Sequence, residues 1–168
     1  MILLLILLIP LFTSLFLLVF RNAATVRTIA LASTILNLVL TLTLVFSGQT
    51  ANYAVSWSNV IGFSFSLGYD GISLLMILLT NLLFPFIILT GFNRDQKNVP
   101  LLNNLILLTQ FALIGVFLAQ NAFLFYVFWE LTLIPVHFIL LLWGGDEKRA
   151  ITLKFFIYTL AGSLFLLF

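Results

Sequence analysis

The chain has 168 residues, of which 63 % are hydrophobic and only 7 % are charged, whereas ordinary soluble domains have about 25 % charged residues. So few polar side chains cannot cover the surface of a soluble domain of this length, and the composition therefore predicts a polytopic membrane protein. The formal net charge of +2, without a basic patch that carries interleaved aromatic residues, argues against a nucleic-acid partner.

Cysteine is absent from the sequence and histidine occurs once. These counts exclude a disulfide framework, a thiolate metal site and an iron–sulfur cluster within this chain. The sequence also has no glycine-rich nucleotide loop and no nucleophile motif. We therefore expect no cofactor and no metal site in the chain itself.

Six apolar segments of about 20 residues follow one another, and about 20 residues is the length that spans a hydrocarbon core of roughly 30 Å. The expected spans are residues 2–20, 28–46, 71–92, 101–118, 122–143 and 150–168. The sequence therefore predicts an all-α, polytopic transmembrane helical bundle with six spans in a single membrane domain. No positive charge precedes the first segment, which favours a retained helix over a cleaved signal peptide.

Residues 47–70 form the longest stretch that does not span, and they are rich in Ser, Asn, Gly and Tyr. Apolar and polar residues alternate in Val55–Trp57 and in Phe63–Leu67, which predicts a short hairpin around Asn59–Gly62. Asp70 directly precedes the third span, and Asp is a favoured N-cap residue whose charge suits the positive helix end.

Two prolines interrupt predicted spans. Pro10 removes the helical donor to the carbonyl of Ile6, and Pro85 removes the donor to the carbonyl of Asn81. For Pro85 two interpretations stay open, a kink that neighbouring groups repair and a hydrated break in the helix.

The positively charged residues lie on one side of the alternating loops. The first, third and fifth turns carry Arg21, Arg27, Arg94, Lys97, Lys148 and Arg149. The loops between them carry no Lys or Arg. Since positive residues concentrate in cytoplasmic loops, we expect an extracytoplasmic N-terminus and an extracytoplasmic hairpin. The sixth segment runs apolar to Phe168, which leads us to expect an N-terminal fragment of a longer protein.

The fifth span, within Asn121–Gly145, contains a carboxylic acid, Glu130. Nine steps of about 1.5 Å from Asn121 put Glu130 about 14 Å into a core of about 30 Å. An ionised carboxylate at that depth costs on the order of 3 kcal/mol on insertion scales. The usual reason for such a residue is a partner charge or a proton path.

Further candidate proton-path residues lie near this acid. Steps of about 100° along the helix bring Tyr126 and His137 close to the azimuth of Glu130, so a hydroxyl, a carboxyl and an imidazole share one face. Gln110 lies in the middle of the fourth span, and Lys154 lies about one turn inside the sixth.

Each of these residues also has a purely structural interpretation. In that interpretation, Tyr126 packs, His137 bonds to a neighbouring backbone group, and Glu130 is a neutral acid bonded to a neighbouring helix. Gln110 then joins two helices through a hydrogen bond, and Lys154 extends its amine to the inner membrane face. The residues alone leave both interpretations open.

Three motifs resemble the subunit M family of NADH-quinone oxidoreductase, or respiratory complex I, the counterpart of mitochondrial subunit four. They are Leu67–Ser73, Phe128–Leu131 followed by Pro135, and Lys154–Thr159. The resemblance covers the chain from about Trp57 to its end. It implies an antiporter-like subunit, and this chain would be the first part of a larger all-helical fold that contains inverted repeats.

The resemblance also implies roles for single residues. Glu130 matches the glutamate of the family's fifth helix, which is essential to proton pumping and whose partner lysine lies on a later helix. Lys154 matches a basic residue of the sixth helix, whereas His137 has no fixed counterpart. NAD, FMN, iron–sulfur clusters and quinone would belong to other subunits of the complex, and the partners would be its other membrane subunits and the lipid bilayer.

Two other functions stay open beside a proton-translocating subunit of a redox-driven translocase. One is a subunit of a multi-subunit cation/proton antiporter without redox activity. The other is a structural membrane scaffold, against which Glu130 argues, because no structural role requires an acid in mid-membrane. The expected location is a bacterial inner membrane, with the mitochondrial inner membrane as the alternative.

Overall fold

The computed structural model of the protein describes residues 2–47, 52–56, 64–92, 97–145 and 147–167. Within these ranges the chain forms six α-helices and one two-stranded antiparallel sheet, so the predicted all-α bundle is confirmed. The elements are α1 (Ile2–Leu17), α2 (Ala23–Ser47), β1 (Asn52–Ser56), β2 (Ser64–Gly68), α3 (Gly71–Thr90), α4 (Val99–Leu118), α5 (Ala122–Trp143) and α6 (Lys148–Leu167).

The second helix begins five residues earlier than its apolar pattern predicts. The side chain of Asn22 accepts a hydrogen bond of 3.0 Å from the backbone N–H of Ala24, and this cap starts α2 at Ala23. Alanine and arginine are good helix formers, so Arg27 lies inside the helix instead of in the turn. The expectation of a polar turn from Arg21 to Arg27 is therefore wrong.

The last helix also begins before its predicted start at residue 150. The backbone N–H of Ile151 donates to the carbonyl of Glu147 at 3.2 Å, which places Lys148 in the first helical turn. The other predicted bounds differ from the observed ones by three residues or fewer. Helix ends can tighten into turns in which the N–H bonds to the carbonyl three residues earlier, and such turns fall outside the α-helix. At the end of α1, for example, the N–H of Leu18 donates to the carbonyl of Leu15 at 3.3 Å.

The hairpin lies at one end of the bundle, called here the hairpin end. Strands β1 and β2 pair in antiparallel register from Asn52 opposite Gly68 to Ser56 opposite Ser64. The backbone N–H of Gln120, in the turn between α4 and α5, donates to the carbonyl of Ser66 at 3.1 Å. This bond fixes the hairpin to that turn. The predicted tip around 59–62 and Trp57 lie outside the described residues.

The start of α3 carries the predicted N-cap. Asp70 has extended backbone angles, and its Oδ1 accepts a hydrogen bond of 2.7 Å from the backbone N–H of Ser73. The cap is confirmed. From Gly71 the helix continues through Pro85 to Thr90 without a break.

The opposite end of the bundle, called here the basic end, brings together several helix termini. The indole N–H of Trp143, the last residue of α5, donates to the carbonyl of Lys97 at 3.0 Å. A guanidinium nitrogen of Arg27 donates to the carbonyl of Phe92 at 3.2 Å, and the guanidinium lies 5.9 Å from the centre of that ring. Arg94, Asp95 and Asp146 lie outside the described residues.

Helix α4 is the centre of the bundle. It packs against α1, α2, α3 and α5, and more than half of its residues are buried, whereas α6 packs against α5. Two apolar clusters hold these helices together, one towards each end. The cluster at the hairpin end contains Leu3, Ile6, Leu7, Leu44, Leu67, Tyr69, Ile77, Ile114, Val116, Leu118, Leu124 and Phe128. The cluster at the basic end contains Leu17, Val26, Ala30, Ile88 and Leu107.

Four of the helices, α2 to α5, are long and apolar enough to cross a membrane. Helix α1 has 16 residues and is shorter than a full span, and α6 carries Lys148 and Arg149 in its first turn. The protein is a multi-pass membrane protein. That α1 and α6 also span stays a prediction from the sequence.

Candidate functional site

A layer of buried polar side chains separates the two apolar clusters. Gln110 Nε2 donates to Asn81 Oδ1 at 2.8 Å, and Asn81 Nδ2 donates to Thr41 Oγ1 at 2.7 Å. Thr41 Oγ1 in turn donates to the carbonyl of Asn37 at 2.9 Å. None of these four side chains reaches solvent. This polar layer, Asn37, Thr41, Asn81 and Gln110, links α2, α3 and α4 by hydrogen bonds.

The layer extends to α1 through a backbone group. Asn37 Nδ2 donates to the carbonyl of Ile6 at 3.0 Å, which is the carbonyl that loses its helical donor to Pro10. Gln110 Oε1 and Asn37 Oδ1 have no hydrogen-bond partner among the described residues. All the groups in this chain of bonds are neutral.

Glu130 lies on the other side of α5, against α6. The hydroxyl of Ser163 donates to Glu130 Oε1, and it also lies 2.9 Å from the carbonyl of Leu160. Glu130 is half-buried and Ser163 is buried. Two residues along a helix amount to about 200°, so Phe128 faces α4 while Glu130 faces α6.

The apolar contact between α4 and α5 separates Glu130 from the polar layer. Gly115 of α4 has no side chain, and the ring of Phe128 occupies the space that a Cβ would fill there. The Phe111 ring packs edge-on to Phe128, with centres 5.7 Å apart. Gln110 bonds to α3, and Glu130 is not among its partners. The structure therefore does not bring Gln110 and Glu130 together.

Tyr126 and His137 face α6, as Glu130 does. Tyr126 lines a cavity of about 350 Å³ between the two helices, together with Phe125, Trp129, Tyr158, Thr159, Gly162 and Ser163. The imidazole of His137 packs against the Phe156 ring, with centres 5.0 Å apart. Its Nδ1 is buried and has no hydrogen-bond partner in the described part of the chain.

Lys154 is exposed on α6 and lies far from the acid. Nine helical steps separate it from Ser163, which is about 14 Å along the helix axis. A lysine side chain does not cover that distance, so Lys154 does not pair with Glu130. Within the described residues no Lys or Arg forms an ion pair with Glu130, and no group of three or more metal-ligating side chains occurs.

Ser163 is the residue that the sequence analysis missed. A hydroxyl inside an apolar run is common in membrane helices and does not stand out. One signal points to it. Helix α5 ends at Trp143 and α6 begins at Lys148, so residues equally far from this short connection lie side by side. Glu130 with Ser163 and His137 with Phe156 both obey that relation.

The chain is similar to membrane subunits of oxidoreductases. Residues 119–168 match the family described as NADH:quinone oxidoreductase/Mrp antiporter, transmembrane. Subunit M of the F(420)H(2) dehydrogenase of Methanosarcina mazei is 44 % identical over 114 residues, 68 % of this chain and 23 % of that protein. Subunit M of the NADH-quinone oxidoreductase of Rickettsia typhi is 32 % identical over 172 residues, 94 % of this chain and 35 % of that protein.

Two further matches agree with these. The NAD(P)H-quinone oxidoreductase chain 4 of a Synechococcus species is 40 % identical over 122 residues, 73 % of this chain and 23 % of that protein. A chain of the archaeal membrane-bound sulfane sulfur reductase, a respiratory membrane complex, shares the fold with a TM-score of 0.76. It is 23 % identical, and the match covers 96 % of this chain and 26 % of that one.

The chain spans about a quarter to a third of the length of the curated relatives it matches. The matched residues 119–168 contain α5 and α6 and therefore the pair formed by Glu130 and Ser163. The resemblance inferred from the three motifs is confirmed: the chain belongs to the family of antiporter-like membrane subunits of NADH-quinone oxidoreductases.

Proposed function

We propose that the protein is a proton-translocating, antiporter-like membrane subunit of an NADH:quinone oxidoreductase, and that Glu130 carries protons in it. The observation that supports this most directly is the setting of Glu130. It is an acid in the middle of an apolar helix, and it is bonded to a hydroxyl from the next helix.

The depth of the acid supports a role in transport. Glu130 lies eight residues from Ala122 and thirteen from Trp143, which is about 12 Å and about 20 Å along α5. Acidic residues at such depths are rare in membrane helices and mark proton relays and ion pathways. A scaffold without transport would gain more from leucine at that position.

The remaining candidate residues have unequal support. Tyr126 and His137 face α6 on the same side as Glu130, and we propose that they line the proton path there. The support is weaker for Lys154, which is exposed and about 14 Å from Ser163 along α6. It is also weaker for Gln110, which is bonded within the polar layer.

The redox chemistry would take place outside this chain. The names of the relatives in Rickettsia typhi and Synechococcus support a complex that acts on NAD(P)H and a quinone. By the family resemblance, NAD, FMN, iron–sulfur clusters and quinone would be bound by other subunits. The chain would then be a subunit of a redox-driven, proton-translocating enzyme. Its partners would be the other membrane subunits of the complex and the surrounding lipid.

We also propose that all six helices span, in a bacterial inner membrane or, as the alternative, a mitochondrial one. The N-terminus and the loop of residues 47–70 would be extracytoplasmic. Support comes from the position of Arg27 and Lys97 at the end of the bundle opposite the hairpin, because positive residues concentrate on the cytoplasmic side.

Two substitutions of Glu130 in the full-length protein within its complex test the role of this residue. Glu130→Gln keeps the shape and the hydrogen bond but cannot release a proton, so coupled proton pumping should be lost. Glu130→Asp keeps the carboxyl group and should retain much of the pumping. Both complexes should assemble, because a neutral amide is cheaper to bury than an unpaired carboxylate. Normal pumping by the Gln variant would contradict the proposal.

A subunit of a cation/proton antiporter without redox activity is the second candidate, because the matched family includes such antiporters. Purification of the full-length protein from its native membrane distinguishes the two. Flavin and iron–sulfur proteins should accompany it if the first proposal is right. Their absence, together with transport driven by a cation gradient alone, would favour the antiporter.

A further inference from the structure

The hydroxyl of Ser163 lies between two acceptors. One is the carboxyl oxygen Oε1 of Glu130 on α5, and the other is the carbonyl of Leu160 one turn earlier on α6, at 2.9 Å. A hydroxyl has one hydrogen to donate and two lone pairs that accept. Ser163 can therefore donate to only one of these oxygens at a time.

Which oxygen receives the hydrogen depends on the charge of Glu130. An ionised carboxylate only accepts, so Ser163 must donate to it. A protonated carboxyl group has a hydrogen of its own and can donate to Ser163 Oγ. In that case the serine hydrogen is free to turn to the carbonyl of Leu160. Both arrangements keep every group hydrogen-bonded, and neither needs a change of position.

We propose that Ser163 is the positioning residue of Glu130, and that its hydrogen bond to the acid reverses direction whenever Glu130 gains or loses a proton. This inference rests on the proposed proton-carrying role of Glu130. When Glu130 is ionised, Ser163 donates to the carboxylate. When Glu130 is protonated, Ser163 accepts from the acid and donates its own hydrogen to the carbonyl of Leu160. The reversal holds the carboxyl group in one place in both charge states.

The other groups near Glu130 are less suited to this task. Helix α4 contributes no titratable residue to the neighbourhood. On α5, His137 lies about 10 Å away along the axis. Tyr126 and Tyr158 also carry hydroxyls and line the cavity beside Ser163, but among the described residues neither is hydrogen-bonded to Glu130. Lys154 lies towards the basic end. A backbone amide would only donate and a carbonyl would only accept, so a hydroxyl is the group that serves both charge states.

The test compares three variants of the full-length protein in its assembled complex. Ser163→Ala removes the hydroxyl, and Ser163→Thr keeps it. Thr159→Ala is the matched control, because Thr159 lines the same cavity one turn away but donates to Phe155 on its own helix, at 2.7 Å. Infrared difference spectra record the C=O stretch of protonated Glu130, which is assigned by its loss in Glu130→Gln. Native gels report assembly, and proton pumping is measured in vesicles.

A carboxylic acid that loses a hydrogen-bond partner absorbs at higher frequency. Ser163→Ala should therefore shift the Glu130 band upwards and lower coupled pumping, with assembly intact. Ser163→Thr should restore both the band and the pumping, and Thr159→Ala should leave the band unshifted. An unshifted band in Ser163→Ala would overturn the proposal, and so would equal shifts in Ser163→Ala and Thr159→Ala.

The result separates this inference from the proposed function. Normal pumping in Glu130→Gln would contradict the proton-carrying role of Glu130, and with it the reversal at Ser163. Lost pumping in Glu130→Gln together with an unshifted band in Ser163→Ala would contradict the reversal at Ser163 and leave the proton-carrying role of Glu130 supported. In the Glu130→Gln background, further substitution of Ser163 by alanine should not lower pumping any more. The glutamine side chain neither gains nor loses a proton, so Ser163 has no change of charge to respond to.

Discussion

Asn37 donates its side-chain amide hydrogen to the backbone carbonyl of Ile6, which Pro10 deprives of its helical donor. The distance from Nδ2 to the carbonyl oxygen is 3.0 Å, and the Asn37 side chain is fully buried. A break in the hydrogen bonding of one membrane helix is therefore closed by the next helix. In a bilayer such a repair is needed, because no water is present to bond the freed carbonyl.

This relationship predicts a coupling between positions 10 and 37. Asn37→Leu should destabilise the full-length protein by about 1–3 kcal/mol, the cost of leaving a buried acceptor unpaired. In a Pro10→Ala background the loss should be clearly smaller, since the introduced alanine would supply the missing N–H. Thermal unfolding of the four proteins in the double-mutant cycle measures the coupling. Equal losses in both backgrounds would show that Asn37 acts independently of the proline.

The close contact between α4 and α5 predicts that a side chain at position 115 destabilises the protein. Gly115→Ala would place a methyl group on the Phe128 ring and should destabilise the protein by about 1–3 kcal/mol, as overpacking does. Gly162→Ala on α6 is the control, because a Cβ there meets no atom within 4 Å. Gly115→Ala should lower the melting temperature, and Gly162→Ala should leave it close to that of the unchanged protein. A second change, Phe128→Leu, should partly restore the Gly115 variant.

The Asp70 cap predicts a dependence of stability on pH. Backbone and side-chain hydrogen bonds from Ser73 hold the pKa of Asp70 below its ordinary value of 3.8. Because the folded state has the lower pKa, the cap stabilises fully above pH 3.8 and is lost as the pH falls through the lowered pKa. Asp70→Asn should keep the cap without this pH dependence, and Asp70→Ala should lose both. Helicity followed by circular dichroism during acid titration checks this.

Single introduced cysteines test the orientation in the full-length protein, with the protein lacking them as the background control, because these 168 residues contain no cysteine. Lys97 and Gln120 are exposed at opposite ends of the bundle. Cysteine at position 97 should react with a membrane-impermeant thiol reagent only from the cytoplasmic side, and cysteine at position 120 only from the other side. Labelling with the two sides exchanged would reverse the proposed orientation and leave the fold unaffected.

The sequence predicted the elements of this fold better than their contacts. Apolar runs and the Asp70 cap located the helices, because both signals are local. The start of α2 was missed, because a cap at Asn22 and a helix-compatible Arg27 carry no hydropathy signal. The pairing of Glu130 with Ser163 and of Asn37 with Ile6 depends on helix register, and register is fixed only when the helices pack.

The polar layer also limits how the helices can move. Sliding α3 or α4 along its neighbour by even one turn, about 5.4 Å, would separate Gln110 from Asn81 and Asn81 from Thr41. Bonds of this kind contribute roughly 0.6 kcal/mol each on average, and amides left unpaired in an apolar interior add a larger penalty. These bonds hold helices α1 to α4 in one axial register. Helix α6 takes no part in the polar layer, because it packs against α5.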